Sequence, residues 1–269
     1  MSGHAEYFAI KAVSWSLLKE MQKSAAHFHH RQTHPLEDTP AMRLGRATHT
    51  AVLEPDKLIR EWTVYDGARR GNAWLEFAAV NASKSILTPD EWDRVIGIRD
   101  AVRGDRTARR LLRRARTEVT VTWTDPETRI RCKARPDLIS WGGLTDLKTT
   151  RDVDPRKFGR LATDMGYVHQ LAFYSAGLAA IGKPVSHHHI LAVESEAPHD
   201  VVVYDVGEDE LWAAGVDVRD LLAQVKECRR KRRWPGRFET SQPLDVPPWF
   251  FAAAENDETM ILEGWKVKS

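Results

Sequence analysis

Cysteine is scarce in this 269-residue chain, which contains only Cys132 and Cys228, far apart in the sequence. Two thiols cannot form a four-cysteine zinc site or iron–sulfur cluster, and so few cysteines are typical of a reducing compartment. Long hydrophobic runs are also missing: none approaches the ~20 residues that a membrane-spanning helix needs. The N-terminus shows no apolar signal segment. We therefore expect a cytoplasmic protein with no membrane partner.

Net charge is low, because 40 Lys and Arg residues face 38 Asp and Glu residues, a balance of +2. Such a chain has no global attraction for nucleic acid, so any binding of this kind must come from a local cluster. Two basic runs are present, at 103–116 with seven arginines and at 229–237 with five arginines and one lysine. Each run could neutralise phosphates or form a solvated helix face, and the sequence leaves both interpretations open.

No internal repeat or low-complexity segment interrupts the chain, and 42% hydrophobic with 29% charged residues is typical of a globular protein. We predict one α/β domain over residues 1–269. Its parts are a mainly helical N-terminal elaboration (1–115), a sheet with a motif helix (116–206), and a C-terminal helix with a tail (207–269).

Local signals predict the individual elements. Thr88, Pro89 and Glu91 form a capping box that starts a helix running towards residue 102. Further helices are predicted from Ser14 or Ser16, over 42–53, from Asp154, from Asp164 to Leu178, and over 208–232, whereas 25–40 is predicted to be a loop. Strands are predicted over 118–123, 129–140 and 144–149, as one antiparallel meander, and over 187–193 and 200–206.

The most informative segment is Arg135-Pro136-Asp137 followed by Asp146-Leu147-Lys148. Two strand-like runs flank Gly142-Gly143, a pair suited to a two-residue hairpin turn. With both glycines central in the turn, Asp137 lies opposite Lys148. Residues two apart in a strand share a face, so Asp146 points the same way as Lys148. Two hard oxygen ligands and an ammonium group are the equipment for metal-assisted attack on a phosphodiester.

Each candidate also has a structural interpretation. An Asp-x-Lys pair is often a solvated ion pair, although the apolar neighbours here place it at the edge of a core. His49, four residues after Gly45 on a predicted helix, could be a metal ligand or a hydrogen-bonded core histidine. Glu118 could be a metal or lysine partner, or a surface charge at a strand start. Consecutive histidines 187–189 would alternate between faces of a strand, so we interpret them as structural.

Taken together, these motifs resemble the PD-(D/E)xK nuclease superfamily, and within it the exonuclease VIII (RecE-like) branch. The matching stretches run from Ser14 to about Trp249. They are Gly45-x-Ala47-x-His49, Leu53-Glu54-Pro55, Arg69-Arg70-Gly71, Glu118 with Trp123, Lys133-x-Arg135-Pro136-Asp137, Asp146-x-Lys148-Thr149, Tyr167-x-x-Gln170-x-x-x-Tyr174 and Trp234-Pro235-Gly236. The resemblance implies a restriction-endonuclease-like core with a mixed central β-sheet flanked by helices.

The resemblance also implies roles for individual residues. His49, Asp137, Asp146 and the backbone carbonyl of Leu147 would bind Mg²⁺ or Mn²⁺. Lys148 would orient or deprotonate the attacking water, and Gln170 and Tyr174 would flank it. DNA would be contacted by Arg43, Arg46, Arg69 and Arg70.

At the level of activity, the resemblance implies a metal-dependent exonuclease acting on ends of double-stranded DNA, from 5′ to 3′, in recombination by single-strand annealing. It further implies a ring-shaped homo-oligomer, a single-strand annealing protein as partner, and a bacterial or phage-infected cell. Alternatives are a nuclease of other polarity or endonucleolytic role, and a non-catalytic DNA-binding subunit.

Overall fold

The protein is described here by a computed structural model covering residues 3–36 and 38–251, with side chains from residue 6 onwards. The helices are α1 Gly3–Ala9, α2 Trp15–Leu18, α3 Ala25–Thr33, α4 Pro40–Leu53, α5 Pro55–Glu61, α6 Gly71–Val80, α7 Pro89–Gly104, α8 Arg106–Leu112, α9 Pro155–Met165, α10 Tyr167–Ala180 and α11 Glu208–Lys231. The strands are β1 Trp62–Val64, β2 Ser85–Leu87, β3 Arg116–Thr117, β4 Val121–Thr124, β5 Arg131–Ala134, β6 Leu138–Ser140, β7 Gly143–Thr150, β8 His187–Glu194 and β9 Val201–Asp205.

A five-stranded mixed sheet in the order β3-β6-β7-β8-β9 forms the centre of the fold. Strands β7 and β8 pair in parallel, with α9 and α10 as the crossover between them, and the other neighbours are antiparallel. The predicted α/β class, with a mixed central sheet flanked by helices, is therefore confirmed.

Apolar side chains alternate along the central strands and face two separate cores. Leu144 of β7 lies in the larger core, with buried residues of α10 and α11. Leu147 points the opposite way, into a second core that includes Val52 and Leu53 of α4. This alternation is the two-residue period of a strand buried on both faces. It fixes α4 and α10 on opposite sides of the strand that carries Asp146 and Lys148.

Helix α10 sits close to the β4–β5 pair because of a glycine. A Cβ built on Gly177 would lie 2.6 Å from Cζ3 of Trp123, whose ring is also 4.9 Å from that of Phe173. Only glycine allows this approach without a shift of the indole. The contact fixes the helix that carries Gln170 and Tyr174.

The β6–β7 hairpin forms, but in a register two residues away from the prediction. Ser140 pairs with Gly143 and Leu138 with Thr145, so Trp141 and Gly142 are the central turn residues, and of these only Gly142 has a positive φ (+69°). Extending this register places Asp137 beside Asp146 rather than Lys148. A slip of two residues keeps every side chain on its predicted face, whereas a slip of one would reverse them.

The antiparallel pairings of the predicted meander form, but they belong to two sheets rather than one. The first predicted strand, 118–123, starts only at Val121, because Glu118 with a φ of +52° separates β3 from β4, and the second, 129–140, divides at Arg135-Pro136-Asp137. Proline has no N–H to donate to a ladder, which explains the second break. As a result β4 and β5 form their own antiparallel sheet, and β3 and β6 join the central one.

Two helix predictions also need correction. Residues 25–33 of the predicted loop are helical, with Ser24 as the N-cap, because Phe28 is fully buried and stacks on Trp234 at 5.5 Å. This tertiary contact outweighs the polar composition of the segment. Asp164 does not cap a helix, since α9 continues to Met165 and α10 starts after Gly166 at φ +69°. The capping box at Thr88 and Glu91 is confirmed.

Within the described ranges, no helix combines the length and apolar character needed to cross a bilayer. Of the predicted C-terminal tail, residues 252–269 lie outside the described part of the chain.

Candidate metal centre and catalytic cleft

Three side chains from distant parts of the sequence meet at one edge of the sheet. The ligand atoms of His49, Glu118 and Asp137 all lie within 4.8 Å of one another. Nδ1 of His49 is 3.4 Å from Oδ1 of Asp137 and 3.7 Å from Oε1 of Glu118. One imidazole nitrogen and two carboxylates suit Mn²⁺ well. They also suit Mg²⁺, which prefers oxygen ligands, through the two carboxylates.

Local structure fixes each member of this cluster. Helix α4, which starts at a Thr39 cap and Pro40, carries His49 towards the sheet. Oδ2 of Asp137 accepts a hydrogen bond of 2.7 Å from the backbone N–H of Leu147, so the hairpin itself orients this carboxylate. Glu118 is held by an ion pair of 2.6 Å with Nε of Arg135. Its left-handed backbone costs ~1–2 kcal/mol in a non-glycine residue, a strain typical of functional sites.

The electrostatics show that this position favours a cation. Burial disfavours the charged form of His49, but the carboxylates of Asp137 and Glu118 outweigh burial and raise its pKa to about 10. For the Asp137 carboxyl, burial raises the pKa, but His49 and Lys148 lower it by more. The net pKa therefore lies below its ordinary value. The proton on Nδ1 of His49 lies between two carboxylates, where a divalent ion bound by all three groups would replace it, so the residues present fit the metal that the resemblance implies.

Next to this cluster, Lys148 and Asp146 form a buried ion pair. Nζ of Lys148 lies 2.6 Å from Oδ2 of Asp146, whose side chain is 1% exposed. Gln170 bridges both groups: its Oε1 accepts from Lys148 at 3.1 Å, and its Nε2 donates to Oδ1 of Asp146 at 2.9 Å and to the Tyr174 hydroxyl at 2.9 Å. The Tyr167 ring lies 4.6 Å from Nζ. Tyr167, Gln170 and Tyr174 are spaced by three and four residues along α10 and therefore share the helix face that is turned towards this ion pair.

The pKa values of the two groups in this ion pair are shifted for different reasons. Burial raises the pKa of Asp146 to about 6, although Lys148 acts in the opposite direction. Burial lowers the pKa of Lys148, but Asp146 and Asp137 outweigh it and leave that pKa above its ordinary value. Without a metal, the lysine is therefore an ammonium group that can donate to a phosphate oxygen or a water.

An open cleft of about 530 Å³ leads to the cluster. His49, Glu118, Asp137 and Tyr174 contribute to its lining, together with Gly45 one turn before the histidine. A Cβ built on Gly45 meets no atom within 4 Å. No other part of the described chain packs closely on this glycine, and the space beside it opens into the cleft.

The structure divides the predicted DNA-binding arginines. Only Arg46 lines the cleft, and it is paired with Asp38 through contacts of 2.5 and 2.7 Å. Arg43 is paired with Glu91 at 2.9 Å. Arg69 donates to the carbonyl of Ile86, and Arg70 is exposed immediately before α6. The roles of all four in DNA contact stay predictions, as does the ligand role of the Leu147 carbonyl.

Histidines 187–189 do not converge. His188 is hydrogen-bonded to Ser175 at 3.0 Å, whereas His189 is paired with Asp205 at 2.8 Å on the other side of β8. The predicted alternation of these histidines between the two faces of the strand is confirmed, and their structural role stays an interpretation. For Glu118 the sequence leaves a metal or lysine partner and a surface charge both open, and the structure places it in the candidate metal cluster. The left-handed residue that turns it inward leaves no local signal in the sequence.

The fold is similar to that of a solved protein structure. The crystal structure of a protein from Eubacterium rectale, described as a "Putative exonuclease", covers 95% of this chain and 96% of its own at 12% identity with a TM-score of 0.61. At that identity the likeness concerns the fold alone. The crystal structure of SSO0001 is similar over 83% of this chain and 88% of its own, at 14% identity and a TM-score of 0.32, which is too low to support an argument. Comparison with curated protein sequences gives no match.

A family model described as a PDDEXK-like domain of unknown function matches residues 14–245, most of the chain. This match confirms the resemblance at the level of the PD-(D/E)xK superfamily, whereas the exonuclease VIII branch stays a prediction. The chain belongs to this family of PDDEXK-like domains.

Proposed function

We propose that this protein is a metal-dependent DNA exonuclease that hydrolyses phosphodiester bonds. The observation that carries the proposal is the adjacency of two groups: His49, Glu118 and Asp137 with ligand atoms within 4.8 Å, and Lys148 paired with Asp146 at 2.6 Å. The family match supports a nuclease, and so does the similar Eubacterium rectale protein, which is described as a "Putative exonuclease". The exonuclease mode of action rests on the resemblance to the exonuclease VIII branch.

The chain's own residues define the chemistry. His49, Glu118 and Asp137 would hold Mg²⁺ or Mn²⁺, with Asp146 adjacent to them. The bound ion would supply a water of lowered pKa and a positive charge for the phosphate. Lys148, kept protonated by two carboxylates, donates to a phosphate oxygen or positions the water, and stabilises the charge that develops in the transition state.

Gln170 is a positioning residue in this scheme. Its amide binds Lys148, Asp146 and Tyr174 at once, which fixes the ammonium group relative to the carboxylates. The Tyr174 hydroxyl stays protonated throughout the neutral range, because burial raises its pKa well above its ordinary value. It can therefore donate a hydrogen bond in the cleft but cannot act as a base there.

The finer parts of the proposal rest on resemblance. They are digestion of linear duplex DNA from the 5′ end, a role in recombination by single-strand annealing, a ring-shaped homo-oligomer, an annealing protein as partner, and a cytoplasmic location. Sedimentation of the purified protein with and without duplex ends would test the ring.

An end-labelled assay tests the activity. Linear duplex with a 5′ or a 3′ label, and a covalently closed circle, are incubated with Mg²⁺ or Mn²⁺. We expect labelled mononucleotides to appear early from the 5′ label, and the circle to stay intact. Cutting of the circle would favour an endonuclease, and no cutting of any substrate would refute catalysis.

A matched pair of lysine variants links that activity to the site. Lys148 and Lys157 each lie 2.6 Å from an aspartate, but the Lys157 side chain is 72% exposed and that of Lys148 is 17% exposed. Lys148→Met should lower kcat about 10²–10³-fold, the loss typical when one group that stabilises transition-state charge is removed. Lys157→Met should leave kcat unchanged.

A further inference from the structure

A second cavity, of about 640 Å³, lies beside the catalytic cleft. Half of its lining is arginine: Arg103, Arg106, Arg109, Arg110 and Arg113. The remaining lining comes from the end of α4 and from residues 112–117, and it includes no acidic side chain. We call this surface the arginine groove.

The positive charge of the arginine groove is not compensated within the described residues. Arg103 donates to the carbonyl of Val52 at 2.9 Å. The four arginines at 106, 109, 110 and 113 are exposed, and none has a hydrogen bond or ion pair with another described side chain. The single carboxylate of the run, Asp105, is engaged as the cap of α8, where its Oδ1 accepts from Ala108 at 2.7 Å.

Several arginines outside the groove have acidic partners. Arg94 is paired with Glu196 at 3.2 Å, Arg99 with Asp100 at 2.7 Å, and Arg230 with Glu227 at 2.6 Å. A set of neighbouring guanidinium groups without acids raises the local potential and favours a polyanion. Guanidinium also matches phosphate geometry through paired N–H donors.

The spacing of these arginines suits a nucleic-acid backbone. Arg106, Arg110 and Arg113 recur at intervals of four and three, so they share one face of α8 and its C-cap. Seven residues of helix span about 10 Å at 1.5 Å per residue. One strand of duplex DNA carries a phosphate per 3.4 Å of axis, so about three successive phosphates fit this face.

The groove is also connected to the candidate metal cluster. Val52 lines it one helical turn after His49 on α4, a rise of about 4.5 Å. On the other side, Thr117 lines the groove and the next residue, Glu118, belongs to the metal cluster. A strand lying in the groove would therefore lie a few phosphates away from the ligand atoms.

We propose that the arginine groove binds the phosphodiester backbone of DNA next to the scissile bond, contacting about three phosphates. This inference rests on the proposed function for the identity of the polyanion. The salt dependence of DNA binding measures these contacts, because each phosphate contact contributes about 0.9 to the slope of log Kd against log salt concentration.

The test compares two triple variants that remove the same charge. Arg106→Gln/Arg110→Gln/Arg113→Gln removes groove arginines, and the control Arg94→Gln/Arg99→Gln/Arg230→Gln removes arginines that already have acidic partners. Fluorescence anisotropy of a labelled duplex is measured over a range of salt concentrations in EDTA, where metal-dependent cleavage does not occur. The groove variant should lower the slope by about 2.7, and the control by less than 1.

Equal slopes for the groove variant and the wild type would overturn the inference, as would equal losses in both triple variants. The single variant Arg110→Gln, at an exposed position, should lower the slope by about 0.9 and gives the answer if the triple variant does not fold. The p-nitrophenyl ester of thymidine 5′-monophosphate, which is too short to reach the groove, separates this inference from the proposed function. With Mn²⁺, the groove variant should hydrolyse it at the wild-type rate while its KM for long duplex rises. A wild type that cuts neither substrate would refute the nuclease but would leave the slopes as the test of the groove.

Discussion

The buried pair of Lys148 and Asp146 leads to a pH-dependent prediction about stability. Lys148→Met leaves the Asp146 carboxylate, 1% exposed, without its cation. Breaking a buried ion pair by removing one partner typically lowers the free energy of unfolding by ~3–5 kcal/mol. We expect a loss of this size at pH 8, and a partial recovery in the double variant Asp146→Asn/Lys148→Met, in which no buried charge remains.

The same pair fixes the sign of the pH dependence. Asp146 has a folded pKa of about 6 against an ordinary value of 3.8, and removal of Lys148 raises it further. A carboxyl with a raised folded pKa destabilises the protein once it ionises, so the free energy of unfolding falls as pH rises from about 4 through the folded pKa. A shift of at least about two pKa units corresponds to ~3 kcal/mol.

Denaturant unfolding from pH 4.5 to 8.5 measures this effect. The difference between Lys148→Met and the double variant isolates the carboxyl at position 146, since both lack the lysine. That difference should be small at low pH and should grow to ~3 kcal/mol above the folded pKa. Parallel pH profiles for the two variants would show that Asp146 is not a buried titrating group, and the reasoning would be refuted.

Three further predictions concern the metal cluster and the packing beside it. Glu118→Gln should weaken Mn²⁺ binding at least tenfold in calorimetry, whereas the control Glu127→Gln, on an exposed turn, should not. Equal Mn²⁺ affinities of Glu118→Gln and the wild type would remove Glu118 from the cluster. Metal binding at pH 8 should release about one proton, because the metal-free pKa of His49 is about 10, and the metal affinity should therefore rise with pH. Binding enthalpies that do not vary with the ionisation enthalpy of the buffer would contradict this release. Gly177→Ala should lower the free energy of unfolding by ~1–3 kcal/mol through overlap with Trp123, measured in urea, and an unchanged midpoint would show that the indole can move.

Features governed by neighbouring residues were predictable from the sequence. The capping box at Thr88 formed because its two hydrogen bonds lie within four residues. Asp146 and Lys148 share a face because a strand alternates with period two, and this held although the hairpin register moved by two residues. The turn position was harder to predict, because Trp141-Gly142 and Gly142-Gly143 both place a glycine where a positive φ is needed. Trp141 is 99% exposed, so its place in the turn does not force the indole into the core.

Features that depend on distant contacts were not predictable in the same way. The inward position of Glu118 requires a left-handed residue and the pairing of β3 with β6, and neither leaves a local signal. The helix at 25–33 depends on Phe28 stacking against Trp234, some two hundred residues later. Likewise, the sequence showed seven arginines between 103 and 116 but not that all seven would lack acidic partners among the described residues.

Helix α4 joins the central sheet only through tertiary packing, with Val52 and Leu53 in the core that also holds Leu147. The nitrogen donor of the metal cluster is therefore supplied by an element outside the sheet, while Asp137 comes from the hairpin. Since the complete donor set exists only when that helix is docked, a divalent ion bound there would link the helix to the sheet. At a concentration of 100 times its Kd, such an ion would favour the docked arrangement by ~2.7 kcal/mol.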